Sequence, residues 1–439
     1  MSEPTTEPTT DHRPDPGEIT TQTQFVESAE KRRQRLSTGV LIGVVGVLLL
    51  ILLPSTTGAA RFALSDAFDE VQLPTVSLPG TGTVLVCAVL LLAAAAGFLS
   101  GRMAGRLPAL AATIAGFALV IGFLTWAAAG RDLPFPVSNQ FAGTLSLATP
   151  LVFGALCGVL CERAGVVNVS IEGQFLAAAF AAAVAGSVTQ SITVAMIAAV
   201  IAGVAMAALL ALFSINYLVN QVVLGVVLNL LAVGVTGFLF DQLVQPASST
   251  YNNAPVLESI PIPGLSQIPF FGNVLFDQNI LAYLAGFAVL VVWLILFKTT
   301  WGLRIRSVGE HPHAADTVGI SVRGVRWSAV LAGGVLAGLG GSFFTLASTG
   351  SFSKEFTVGN GFIALAALIM GRWHPGLAAV MALFFGFVTQ MASQLQTLST
   401  PMPSQFLLIL PYVATIIAVA GLVGRVRAPA ADGIPYEKS

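Results

Sequence analysis

The stretch QSITVAMIAAVIAGVAMAALLALF, residues 190–213, holds twenty-four residues without a single charge. A helix needs about 20 apolar residues, within a range near 17–25, to cross the hydrocarbon of a bilayer. The run shows no alternation of apolar and polar residues, which a membrane β-barrel would require. In hydrocarbon every backbone polar group must be satisfied within the chain, so a run of this kind is a helix.

The rest of the chain repeats the pattern. Of 439 residues, 55% are hydrophobic and 9% charged, and the mean hydropathy is +0.84. A soluble domain carries roughly 25% charged residues. A chain this poor in charge cannot cover its surface with polar groups, so lipid is its solvent. The expected fold is all-α, a polytopic transmembrane helical bundle. Membrane segments are predicted at 37–53, 83–100, 107–129, 143–160, 173–187, 190–213, 219–240, 279–298, 327–348, 360–371, 375–395 and 404–423. The segment at 360–371 is too short to span alone, and it and the next read as one helix broken at Gly371-Arg372-Trp373-His374-Pro375. About 10–12 membrane segments follow.

Charge gives an independent check on parity. With the N-terminus placed inside and sides alternating, seventeen of the twenty Lys and Arg fall inside. Arg61, Arg131 and Lys354 fall outside. Such a bias is what the positive-inside rule requires. Both termini are then cytoplasmic, on the inner face of the membrane. The 241–278 loop, with no Lys or Arg, is external, and the basic 299–326 loop is internal.

Four parts are expected: a disordered cytoplasmic tail at 1–36, additional transmembrane helices at 37–135, a core with denser motifs at 136–425 and a cytoplasmic tail at 426–439. The first is rich in Thr, Pro and acid and ends in Lys31, Arg32, Arg33 and Arg35, a basic membrane flank rather than a cleavable signal. Transporters are often built from inverted repeats with broken helices near the midplane. Interrupted segments at 161–174 and 350–375 fit that arrangement.

Three motifs carry polar or small residues in informative places. The first, Cys161-Glu162-Arg163-Ala164-Gly165-Val166-Val167-Asn168-Val169-Ser170-Ile171-Glu172-Gly173-Gln174, sets ionisable groups between apolar helices. Such groups pair or line a cavity. The motif is either a polar lining of a translocation path, with Asn168, Glu172, Gln174 and the intrahelical Asn229 as candidates, or a cytoplasmic turn with packing glycines. For Asn229, helix-to-helix adhesion is the commoner role.

The second lies in the internal loop at 304–320. Pro312 suits the first turn of a helix and Gly319 its end, so a short helix is expected at about 312–318. The small Ala314 and Ala315 would admit close docking by another protein, a reading preferred to a solvated loop. The third, Leu331-Ala332-Gly333-Gly334-Val335-Leu336-Ala337-Gly338-Leu339-Gly340-Gly341-Ser342, spaces small residues four apart, at Gly334 and Gly338 and at Ala337 and Gly341. It lacks the Gly-Lys-Ser/Thr ending of a nucleotide loop, and none occurs elsewhere, so any ATP hydrolysis belongs to another polypeptide.

Other chemistry is poorly represented. Cys157 and Cys161 sit one turn apart without a His or carboxylate set, so they read as small packing residues and not as a metal or redox pair. His311 and His313 lack further ligands. Phe343, Phe344 and Phe352 suit packing or lipid contact better than base stacking. No metal, no cofactor and no nucleic-acid partner is expected, and the chain does not read as an enzyme.

Through these motifs the chain resembles the permease subunits of bacterial nucleoside ABC importers, within the simple-sugar and branched-chain amino-acid permease group. The matching residues are Glu162-Arg163-Ala164-Gly165-Val166-Val167-Asn168 with Ile171-Glu172-Gly173, and Val308 through Ile320. Gly361 through Ala367 running into Gly371-Arg372-Trp373-His374-Pro375, and Pro403-Ser404-Gln405 ahead of Leu410-Pro411-Tyr412, complete the set. Order and spacing agree over roughly 142–423.

The resemblance implies an ATP-driven import pore with alternating access. Its partners would be an ABC ATPase subunit, a second homologous permease subunit and an extracytoplasmic solute-binding lipoprotein. The loop holding Glu310, His311, Pro312, Ala314, Ala315, Asp316 and Gly319 would be the coupling helix that enters the ATPase. The 37–135 helices depart from the shorter members. Simple sugars remain an alternative solute, and a stand-alone ion-driven transporter or a membrane scaffold an alternative class. The central helices are nearly free of the ionisable residues an ion-driven carrier would use.

Overall fold

The computed structural model describes residues 29–65, 71–398 and 427–438, together with Gln405 and Ile409. The segment expected at 404–423 lies outside the described residues but for those two, as does 1–28 of the first tail.

Helix α1 covers Ala29–Leu52, α2 Gly80–Ser100, α3 Leu107–Ala128, α4 Val137–Arg163, α5 Ile171–Thr189, α6 Ile192–Ala211 and α7 Gln221–Leu239. The short α8 (Ser248–Tyr251) and α9 (Phe271–Phe276) follow, then α10 at Ile280–Lys298, α11 at Thr300–Glu310 and α12 at Pro312–Thr317. Helix α13 runs over Val322–Phe344, α14 over Asn360–Met370 and α15 over Pro375–Thr397. Among the described residues ten helices are long and apolar enough to cross a membrane, and α14 is an eleventh, shorter apolar helix. The chain is therefore a multi-pass helical membrane protein.

Two boundaries depart from expectation. Helix α1 starts within the stretch assigned to the 1–36 tail, because Ala29–Ser37 continues the helical register of the apolar run behind it. The 299–326 loop contains a full helix, α11, whose Arg304 and Arg306 made it read as loop.

Among the described residues, strands occur only as short ribbons between helices. Strand β1 (Ala59–Ala63) pairs antiparallel with β2 (Val76–Pro79) and parallel with β3 (Phe135–Pro136). Strand β4 (Ser259–Pro261) pairs antiparallel with β5 (Asp277–Asn279). The first ribbon holds Arg61 against the carbonyls of Arg131 and Asp132. The Arg61 side chain thus reaches the backbone of Arg131, another of the three basic residues assigned to that side of the membrane.

Helix α4 is the centre of the bundle. Phe153, Ala155, Leu156, Val159 and Leu160 are buried with Ala364, Leu368, Ala378 and Phe385 of α14 and α15 in one core. A second core joins Cys157 and Cys161 to Ile171, Phe175, Leu210 and Ala337. Helix α13 meets two neighbours through its two glycine rows. A methyl group on Gly338 would lie 2.6 Å from Val200 Cα of α6, and one on Gly341 would lie 2.6 Å from Phe175 O of α5. These backbones touch, as small residues at four-residue spacing permit in lipid, where close dispersion contact drives helix association. Helices α1 to α3 form a unit beside the core, joined to α15 where Val84, Trp126 and Ala127 bury against Ala392 and Leu395.

Candidate functional site

Both interruptions expected from the sequence are present, at 164–170 and at 350–359, and they meet. Helix α14 begins at the second break. Its first amides have no partner within the helix, a general property of helix starts. The Glu172 carboxylate, from the first turn of α5, supplies one. Oε1 accepts from the Gly359 amide at 2.9 Å and the Thr357 hydroxyl at 2.5 Å, and Oε2 accepts from the Gly361 amide at 2.6 Å. Negative charge at a helix N-terminus also complements the helix dipole. Gly361 is required by the closeness: a methyl group there would lie 2.4 Å from the Glu172 backbone nitrogen.

Depth follows from length. Eleven residues of α14 rise about 16 Å at 1.5 Å per residue, which is half of a hydrocarbon core about 30 Å thick. The far end of α14 turns at Gly371–His374, where Arg163 Nε donates to Trp373 O at 2.9 Å and Trp373 Nε1 donates to Glu162 Oε2. Glu172 and Asn360 therefore lie about half a hydrocarbon thickness from that charged turn.

From there the 350–359 segment climbs the other way. Lys354 Nζ lies 2.7 Å from Asp241 Oδ1, just past the end of α7. Glu355 and Val358 hold positive φ, +54° and +45°, and Val358 is 68% exposed. A β-branched residue in the left-handed region is strained. Non-helical backbone at membrane depth is tolerated only where protein covers it or where it lines a water-filled cavity. The side chains of Ser353–Glu355 and Val358 are exposed along this segment. Behind it, Phe175, Phe344, Phe352 and Phe356 form a packed aromatic cluster, with Phe344 and Phe352 buried. Those two phenylalanines have packing roles, as expected.

The other polar candidates close the first break. Asn168, at 0% exposure, donates from Nδ2 to Cys157 Sγ at 3.2 Å and Gln174 Oε1 at 3.4 Å. Its Oδ1 accepts from the Ser170 amide and hydroxyl. Gln174 Nε2 donates to Ser170 Oγ at 3.2 Å. Asn229 reaches across from α7, accepting from the Gly173 amide at 2.8 Å and donating to Val169 O at 3.0 Å. Asn168, Glu172, Gln174 and Asn229 are thus brought together. Asn168, Gln174 and Asn229 are buried and spent on the turn, and Glu172 alone reaches the second break.

At the charged face, α11 and α12 form the expected short-helix region. Helix α12 ends at Thr317, with Gly319 at φ +86° just beyond. His311, Ala314, Thr317 and Val318 are exposed, Pro312 and Asp316 half-buried, and Glu310 exposed. Ala315 turns the other way. It is 4% exposed and packs with Ile305, Val308, Val322 and Tyr436. The expectation that Ala315 forms a docking face is corrected accordingly: the six-residue helix directs it into the protein's own core, and Ala314 and Val318 face out.

Sequence reasoning missed the partner of that core. The 427–438 segment, expected as a tail, packs against α11 to α13. The Ala431 amide donates to Gly309 O at 2.8 Å, the Ala430 amide to Glu310 Oε2 at 3.3 Å, and Arg326 Nη1 to Ile434 O at 3.0 Å. The Tyr436 ring lies 5.2 Å from that of His313. The small residues Pro429, Ala430, Ala431 and Gly433 were the available signal, since they suit a chain that threads a narrow cleft. Among the described residues no group of three or more His, Cys, Asp or Glu could hold a metal ion.

Known proteins bear on this arrangement. The family described as branched-chain amino acid transport system / permease component matches residues 140–420. The chain is 39% identical over 304 residues to the guanosine ABC transporter permease protein NupQ of Bacillus subtilis (strain 168), covering 67% of this chain and 95% of that one. It is 39% identical over 308 residues to the nucleoside ABC transporter permease protein NupC of Lactococcus lactis subsp. cremoris, covering 68% and 96%. Identity to the putative glucose ABC transporter permease protein TsgC13 of Haloferax volcanii is 33% over 258 residues, covering 58% and 77%. No solved structure matches.

Proposed function

Because the chain belongs to the branched-chain amino acid transport permease family, we propose that it is the membrane permease of an ATP-driven importer of nucleosides. The observation that carries this reading is the match to nearly the whole length of permeases named for nucleosides and guanosine, at 39% identity against 33% and 29% for two named for glucose. The additional helices α1 to α3 lie before the matched region and are no part of that argument.

The mechanism is conformational. A separate ATPase subunit binds at α12 and the surrounding charged face, which is cytoplasmic, as are both termini. A second permease subunit covers the exposed side of the 350–359 segment, so that its irregular backbone lines a wet path between the two subunits. A solute-binding lipoprotein delivers the nucleoside to the opposite face. Closure of the ATPase pulls α12, and the charged turn at Arg163 and Trp373 carries the motion to α14. The Glu172 cap holds α14 to α5, so the two broken segments shift together and expose the path to one side at a time.

The test is uptake by proteoliposomes holding this chain, its partner permease, the ATPase and the binding protein. Labelled nucleoside should accumulate only with ATP inside the ATPase compartment, and excess unlabelled glucose should not compete. Accumulation by the chain alone on an ion gradient would overturn the reading, and competition by glucose would move the solute to the sugars.

A further inference from the structure

We propose that the 427–438 segment forms part of the ATPase-docking surface, bracing α12 against the inner ends of α4 and α13. The inference rests on the importer reading and goes beyond it, because the family match ends at residue 420.

Three observations carry it. First, the segment is tied to the coupling region at several points and not draped over it. Its Ala431 amide bonds the last carbonyl turn of α11 at Gly309, and its Ile434 carbonyl accepts from Arg326 of α13. Lys438 Nζ lies 3.9 Å from Asp316 Oδ1 of α12. Second, the contact is buried. Ala431 and Tyr436 are 4% and 5% exposed. Gly165, just after α4, approaches so closely that a methyl group there would lie 2.9 Å from Ala431 O. The segment therefore fills the angle between three elements that must move together if α12 is to drive the bundle.

Third, the segment helps to shape a concave surface beside α12. A cleft of about 410 Å³ is lined by Asp316, Ile320, Ser321 and Arg323 on one side and by Tyr436 and Lys438 on the other. Two apolar side chains adjacent in sequence to its lining residues are exposed: Val318 is 74% exposed and Ile434 54% exposed. A protein partner with an apolar side chain flanked by opposite charges fits this surface. Without the 427–438 segment the cleft loses a wall, and α12 keeps its packing on Ile305, Val308 and Val322 but loses Tyr436.

The experiment uses the full importer in proteoliposomes, with solute taken up per ATP hydrolysed as the readout. A stop codon after Pro429 should leave the permease in the membrane and lower that ratio at least tenfold, or release the ATPase on purification. A ratio within twofold of the full-length chain, with the ATPase retained, overturns the proposal. Should the shortened chain fail to insert, a second arm decides. Ile434→Asp in the full-length chain, at a side chain 54% exposed, should leave insertion unchanged and lower the ratio at least fivefold. A ratio within twofold of wild type in that variant overturns the proposal. Absence of ATP-driven uptake by the full-length control would instead overturn the importer reading.

Discussion

The Glu172 carboxylate accepts a hydrogen bond from the Gly361 amide across 189 residues of sequence, at 2.6 Å, and by it α5 caps the half-helix α14. Bonds to an ionised acceptor are worth about 1.5–3 kcal/mol each, and the cap makes three of them. Glu172→Ala should lower the thermal midpoint of the purified permease by several degrees and cut uptake at least tenfold. Glu172→Gln keeps one acceptor oxygen and should fall between. Thermal melts and uptake, measured on both variants, check this. Wild-type stability in Glu172→Ala would show that α14 needs no cap.

The α6–α13 contact gives a prediction about packing alone. Gly338 faces Val200 with no room for a side chain. Forcing extra carbons into a packed core costs about 1–3 kcal/mol. Gly338→Leu should reduce the yield of folded permease in mild detergent, while the same change at Gly234, with nothing within 4 Å, should not. Size-exclusion profiles of the two variants compare them directly; equal profiles would contradict the close backbone approach.

What the sequence could show, and what it could not, divides along range. Apolar length alone placed the spanning helices, and the four-residue spacing of small residues at Gly334 and Gly338 anticipated a helix seam. The two breaks were visible because polar residues interrupt apolar runs. That they meet was not visible, since nothing in the local pattern of Glu172 names Gly361. Helix α11 was hidden by its surroundings: Arg304 and Arg306 make the stretch polar, yet Trp301 Nε1 bonds Ser328 Oγ and Arg306 lies over the Phe297 ring. The inward turn of Ala315 was beyond any periodicity argument in a helix of six residues. The packing of 427–438 depends on a cleft formed by three distant elements, so its small residues gave composition but no address.

The contrast between Ala315 and Val318 separates docking from folding. Val318 is 74% exposed, and surface changes usually shift stability by no more than about 0.5 kcal/mol. Val318→Asp should therefore leave the melt unchanged and still cut solute-stimulated ATP hydrolysis and uptake at least fivefold. Ala315→Arg buries a charge without a partner, a costly change, and should lower the melting temperature before any question of docking arises. If Val318→Asp transports normally, this face of α12 does not meet the ATPase.

The last prediction concerns acidity at the same place. Burial pushes the Asp432 carboxyl up to about 7, against the opposing pull of the Gly433 amide and the Arg326 guanidinium. The Glu162 carboxylate is the second acid facing this pocket. A carboxyl raised in the docked state and ordinary, near 3.8, when released binds a proton on docking. Between those two values the docked form holds more protons than the released one, so docking weakens as pH rises. Below about 4 both forms are protonated, and above about 7 neither is, so the dependence is confined to that window. Hydrogen exchange at the Ala431 amide, corrected for its intrinsic rate, reads the opening equilibrium. Opening should grow from pH 5 to pH 7 and level off above it, and Asp432→Asn should flatten the curve and leave the segment docked at neutral pH. An unchanged slope in Asp432→Asn would assign the titration to another group.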